Sequence, residues 1–104
     1  MVVVLCNCPP AEAGPLARTL VEERLAACVN VLPGVTSVYT WEGAVHEDSE
    51  HTLVIKTPDD RVSALADRIR ALHSYDTPEI LVLGVDSERS DPKYVAWVAS
   101  VTRG

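Results

Sequence analysis

Phenylalanine is missing from this 104-residue chain, and two Trp and three Tyr supply all of its aromatic rings. Hydrophobic residues make up 47%, so a core is available, but it must be packed from aliphatic side chains. Basic residues are scarce: nine Lys and Arg stand against fifteen Asp and Glu, a formal net charge of −6. That balance argues against a duplex-binding surface, which needs clustered cations to displace counterions from phosphate; no nucleic-acid partner is expected. No apolar run approaches the ~20 residues of a membrane-spanning helix, and MVVVLCNCPP lacks the basic segment that opens an export signal. Three cysteines, an odd number, suit free thiols in a reducing compartment. The cytoplasm is therefore the expected location, with no membrane partner. Also lacking are a Gly-rich phosphate loop, H-E-x-x-H, G-x-S-x-G and C-x-x-C, so no enzymatic reaction is expected.

What the chain does have is a long strand pattern from Cys28 to Thr57. Val29 and Val31, then Val35, Ser37, Tyr39 and Trp41, alternate with the period of two that a strand requires. Glu42-Gly43 supplies a turn, and a returning strand runs from Ala44 to Thr57. Pro33-Gly34 predicts a bulge in the first arm. Arms of roughly 40 Å, at ~3.3 Å per residue, overreach a body whose radius of gyration should be ~13 Å. The distal half needs cover from elsewhere, and another copy of the chain would provide it.

Around the hairpin, Val2–Cys8 reads as a central strand, apolar on both faces. A first helix beginning between Ala11 and Gly14 places Ala13, Leu16, Ala17, Leu20 and Val21 on one face, with Arg24 on the stripe near its C-terminus. Thr57 and Pro58 predict the cap and first position of a second helix carrying Val62, Leu65, Ala66, Ile69 and Leu72. Glu79–Val85 reads as the last strand, and Asp91-Pro92 opens a terminal helix with Tyr94, Trp97, Val98 and Val101 on its apolar stripe. Residues 1–104 thus form one α+β domain of order β-α-β-β-α-β plus a helix, a ferredoxin-like sandwich with a long central hairpin and helices on one face.

Several stretches together resemble one family: LVEERLAACVNVLPGVTSVYTWEG, VIKT and HSYDTPEILVL are similar to the CutA divalent-cation tolerance proteins, over nearly the whole chain. The resemblance implies a ferredoxin-like fold, a tight homotrimer, an association with copper and other divalent metals, and an architecture shared with the trimeric PII signalling proteins. It implies no catalytic reaction and no obligatory cofactor.

Candidate site residues follow. Cys6 and Cys8, two apart on a strand, point to one face; they are either small core residues or soft ligands. The resemblance favours Cys6 as a copper ligand. His73 and Glu79 add an imidazole and a carboxylate, each with an ordinary alternative: a backbone-bonded His, and a Glu paired with Lys56 or Arg24. The resemblance places an imidazole at the position of Leu72, with His73 pointing elsewhere. A second reading is a PII-like module whose intersubunit cleft binds a small anionic ligand or a partner, with Lys56 and Tyr75 in the cleft. Tyr39 and Trp41 are expected at the trimer interface. His46, Glu47, Asp48, Glu50 and His51 alternate between two sides of a strand and read as a solvated or intersubunit polar run. Cys28 is expected to be packed.

Overall fold

Antiparallel pairing organises the whole sheet. The computed structural model describes residues 1–103. In chain order it contains β1 (Val2–Cys8), α1 (Pro10–Glu22), β2 (Cys28–Trp41), β3 (Ala44–Thr57), a 3-10 turn (Asp59–Arg61), α2 (Val62–Leu72), β4 (Leu81–Gly84) and α3 (Pro92–Val101). The strand order is β2-β3-β1-β4, the ferredoxin-like arrangement that the element order predicts, and β1 lies between two partners as its apolar run requires.

Burial alternates strictly along β1: Val2, Val4, Cys6 and Cys8 are buried, the residues between them less so. The buried set joins Leu53 and Ile55 of β3, Leu16 and Leu20 of α1, and Leu65 and Ile69 of α2 in one aliphatic core. The helices thus cover one sheet face. By alternation, the other carries Leu5, paired with Val54 and Leu81, Val3 paired with Leu83, and Leu32 paired with Thr52. Leu32, Leu81 and Leu83 are exposed there.

The hairpin matches its sequence pattern. Its turn residues Glu42 and Gly43 have φ of 51° and 78°, the left-handed pair of a type I′ turn that follows the twist of the flanking strands. The register slips between Leu32 and Val35, where Gly34 takes a φ of 74°. The molecule measures 44 × 27 × 22 Å, with a radius of gyration of 14.3 Å against ~13 Å for a compact body of this length. The distal hairpin reaches beyond the core, and Val38 and Val45 are 65% and 74% exposed there.

Other expectations need correction. α1 starts at Pro10 and keeps Pro15 in its interior. Both Pro15 and Ala11 are exposed, so the carbonyl that Pro15 leaves without a donor can meet water. Val21 is 41% exposed, lying past the edge of the buried stripe. Arg24 lies beyond the helix at a φ of 59°, and its Nη1 donates to the Arg103 carbonyl at 3.1 Å. Thr57 caps nothing: it ends β3, fully buried, and its hydroxyl donates to the Leu25 carbonyl at 2.6 Å. The 3-10 turn then delays α2 to Val62, and Leu72 at its end is exposed. β4 is four residues long rather than seven, because its pairing with β1 runs only from Gly84 opposite Val2 to Leu81 opposite Leu5. Glu79 lies before that strand. On α3, Asp91 accepts from the Tyr94 amide at 3.0 Å, as its cap-proline signature predicts. Val98 is buried, whereas Tyr94, Trp97 and Val101 are exposed.

Candidate functional site

Alternation along the hairpin decides what can meet at its base. Ser37 pairs with Asp48, Tyr39 with His46 and Val35 with Glu50, so these side chains share the face without helices. Asn7 of β1 faces the same way, and its side-chain oxygen accepts from Thr52 Oγ1 at 2.7 Å. The segment after α2 folds over this end of the sheet. It is pinned by Glu12, which accepts from the Ser74 amide and hydroxyl at 3.1 and 2.6 Å. The result is a cleft of about 550 Å³ lined by Asn7, Tyr39, Trp41, Glu50, Tyr75 and Glu79, among others.

His73 sets the position of Tyr75. The Tyr75 amide donates to His73 Nδ1 at 3.1 Å, so Nε2 carries the hydrogen and donates to the Asn7 carbonyl at 2.8 Å. The two rings lie 4.7 Å apart. Tyr75 in turn donates its hydroxyl to Glu50 Oε2 at 2.9 Å. Burial, and then that hydrogen bond, raise the Tyr75 pKa above its ordinary value, keeping the hydroxyl a donor. On the hairpin wall the Tyr39 hydroxyl donates to Asp48, and its ring stacks on His46 with centroids 5.5 Å apart.

The cleft is acidic. Glu50 is only 5% exposed, and no ion pair among the described residues includes it. Glu79, at the rim, has its pKa raised by desolvation and then by the charge of Glu50. It pairs with neither Lys56 nor Arg24. Asp76 also lines the cavity, with no Lys or Arg among the lining residues.

The expected donors are placed as follows. Cys6 is fully buried on the helix-facing side. Its thiol is pushed up to about 12 by burial, with Cys8, Glu79 and Glu50 adding to the effect; Cys8 rises to about 11, chiefly through burial. Among the described residues no three His, Cys, Asp or Glu side chains lie together so as to hold a metal ion. Cys6, His73 and Glu79 therefore do not form a three-donor site within one chain. β4 stops pairing opposite Leu5, one residue short of Cys6, which keeps Glu79 out of the sheet. Leu72 is exposed, and His73 is the buried residue that reaches β1, because the chain leaves the helix at His73 with extended backbone. Lys56 does not line this cleft of the single chain. It lies six residues from Glu50 along β3, roughly 20 Å at ~3.3 Å per residue, with its Nζ 3.9 Å from Cys28 Sγ.

Sequence reasoning read Glu50 only as part of a solvated or intersubunit polar run and passed over Asn7. A usable signal existed: Glu50 shares its phase with Thr52 and Val54, where β3 turns apolar, so it is the acid closest to the body of the sheet.

Comparison with known proteins places this arrangement. Residues 2–101 match the family model described as CutA1 divalent ion tolerance protein. The divalent-cation tolerance protein CutA of Thermus thermophilus is 45% identical over 101 residues, covering 96% of each chain. The chloroplastic protein CutA of Arabidopsis thaliana is 44% identical over 103 residues, 98% of this chain but 56% of its own length. This chain therefore spans little more than half of that longer relative. Among solved structures, the PII-like protein CutA from Nostoc sp. PCC 7120 in apo form superposes with a TM-score of 0.95 at 40% identity, covering 99% of this chain and 98% of that one. With sequence, topology and hairpin in agreement over nearly every residue, the chain belongs to the CutA1 divalent ion tolerance protein family.

Proposed function

We propose that this protein is a homotrimeric, non-catalytic binding protein of the divalent-cation tolerance type, and that the acidic cleft at the hairpin base holds a positively charged ligand. The observation that carries this reading is Glu50, a carboxylate 5% exposed with no cation beside it among the described residues. A buried carboxylate is retained where something positive meets it. The trimer reading draws on the helix-free sheet face, where Leu32, Leu81 and Leu83 are 43%, 53% and 49% exposed, and on the hairpin wall bearing Tyr39 and Trp41. Sheets that present such a face to water are unusual. Three copies also close the exposed strand edges cyclically. The three free thiols fit the cytoplasm or another reducing compartment.

The alternative, an anionic ligand in a PII-like cleft, draws on the likeness to the PII-like Nostoc protein. The acidic lining opposes it, and within one chain Lys56 lies roughly 20 Å from Glu50. Copper at Cys6 would need donors beyond those that one chain brings together. The test is thermal-shift screening of the assembled protein against divalent metals, organic cations and anionic metabolites, since a native-state ligand raises apparent stability. A rise with cations that Glu50→Gln removes supports the cation reading; a rise with anions alone ends it.

A further inference from the structure

We infer that Cys8 and His51, facing each other on the helix side of the sheet, hold a soft monovalent metal ion between the Cys8 sulfur and His51 Nδ1. The site lies on the opposite face from the acidic cleft and does not rest on the reading of that cleft. Its starting point is an orphan. Among the described residues, His51 Nδ1 is the one buried side-chain nitrogen or oxygen without a hydrogen-bond partner. A buried nitrogen in that condition costs free energy and marks a place where an ion or a water can bind. The strand register supplies a second donor. Cys8 pairs directly with His51 and is fully buried on the helix side, so His51 points to that side too. Residues directly opposed across an antiparallel pair have Cβ atoms ~4.5–5.5 Å apart. A linear sulfur–metal–nitrogen unit needs roughly 4.3 Å between its donors, taking the ~2.3 Å and ~2.0 Å bonds of thiolate and imidazole to zinc as a guide. Cys6 lacks such a neighbour, because its partner across the strands is Leu53.

Donor type, donor number and charge select the ion. A thiolate with an imidazole suits copper(I) and similar soft ions. No third His, Cys, Asp or Glu joins them among the described residues, so zinc, which takes four ligands, is poorly served. Glu12, whose charge reaches Cys8, commits both carboxylate oxygens to Ser74. Two donors do satisfy a monovalent ion with a filled d shell, which favours linear coordination. Charge balance points the same way. Binding breaks the Cys8 S–H bond, forms a sulfur–metal bond and releases one proton to water, with no electron transferred. Thiolate, monovalent ion and neutral imidazole then sum to zero. A divalent ion would leave a net positive charge beside Ala13, Leu16 and the rest of the aliphatic core, where an uncompensated charge is costly.

Anaerobic titration of the purified, reduced protein with Cu(I), in competition with a coloured Cu(I) chelator, tests the assignment. The expected result is one ion per chain, with X-ray absorption reporting one sulfur and one nitrogen around it. Affinity should fall roughly tenfold or more in Cys8→Ala and in His51→Val, and stay within about threefold in Cys6→Ala and Cys28→Ser. Circular dichroism and light scattering on the metal-free variants check that fold and assembly persist. If Cys8→Ala fails that check, His51→Val and the absorption spectrum carry the comparison. Unchanged affinity in His51→Val overturns the proposal, and so does binding that is lost in Cys6→Ala but kept in Cys8→Ala. Zn²⁺ held as tightly as Cu(I) by the same two residues overturns the assignment to a monovalent ion. Absence of Cu(I) binding overturns the site and leaves a water molecule as the partner of Nδ1.

Discussion

At the scale of single residues, the site is a contest between burial and charge. Cys6 and Cys8 show one outcome, with thiols raised to about 12 and about 11 from an ordinary 9.0. A folded-state pKa above the unfolded one means that these groups support the fold fully below pH 9. Their contribution is lost as pH rises through 9 towards 11 and 12. Thermal unfolding from pH 8 to 11 should therefore show a falling midpoint, and Cys6→Ala should flatten the slope; an unchanged slope would refute the assignment. Thiol titration with a soluble disulfide reagent should label Cys28, which is only partly buried, well before the two core thiols. Glu79 shows the same sign at the rim, in a lower pH window. Its raised pKa means that ionisation opposes the fold, so Glu79→Gln should raise the midpoint at pH 7 and leave it nearly unchanged at pH 4. The sequence made Tyr39, Trp41, Tyr75 and Glu79 visible by their chemistry. Glu50 was legible only through its strand phase with Thr52 and Val54; the overlying Tyr75, which bonds it, was not. Lys56 lies beside Cys28 and does not line the cleft of the single chain.

At the scale of elements, the hairpin was legible and the helix ends were not. Period-two alternation, a Gly-containing turn and Pro33-Gly34 are local signals, and β2 and β3 follow them to the residue. The starts of α1 and α2 and the length of β4 depend on what each segment meets in space, so local propensity misplaced them. The turn offers a direct check. Type I′ geometry favours Asn or Gly over Glu at its first central position, and Glu42 takes it with a φ of 51°. Glu42→Asn should stabilise the protein by up to ~1 kcal/mol, and Gly43→Val should destabilise it by ~1 kcal/mol or more. Chemical denaturation reads both, and equal midpoints for the two variants would show that the turn does not control the hairpin.

At the scale of the whole molecule, the trimer proposal draws on an elongated outline of 44 Å and an apolar helix-free face. Light scattering should give three times the chain mass at micromolar concentration, with an interface above the ~1,600 Å² of a standard complex. A folded monomer would end the trimer proposal. Shortening the tip around Trp41–Gly43 should weaken assembly while far-UV circular dichroism retains the helices.

The central position of β1 also has a consequence for synthesis. β1 leaves the ribosome before the other elements described here, yet its two neighbours are β3 and β4, the second and last of the strands that follow it. At roughly 5–20 residues per second, VVVLC waits seconds without a strand on either side. The hairpin, whose contacts are local, can close meanwhile and offer β3 as the first template. Of the four strands, the one made first thus completes its pairing last, and β1 is the strand most exposed to wrong partners during synthesis.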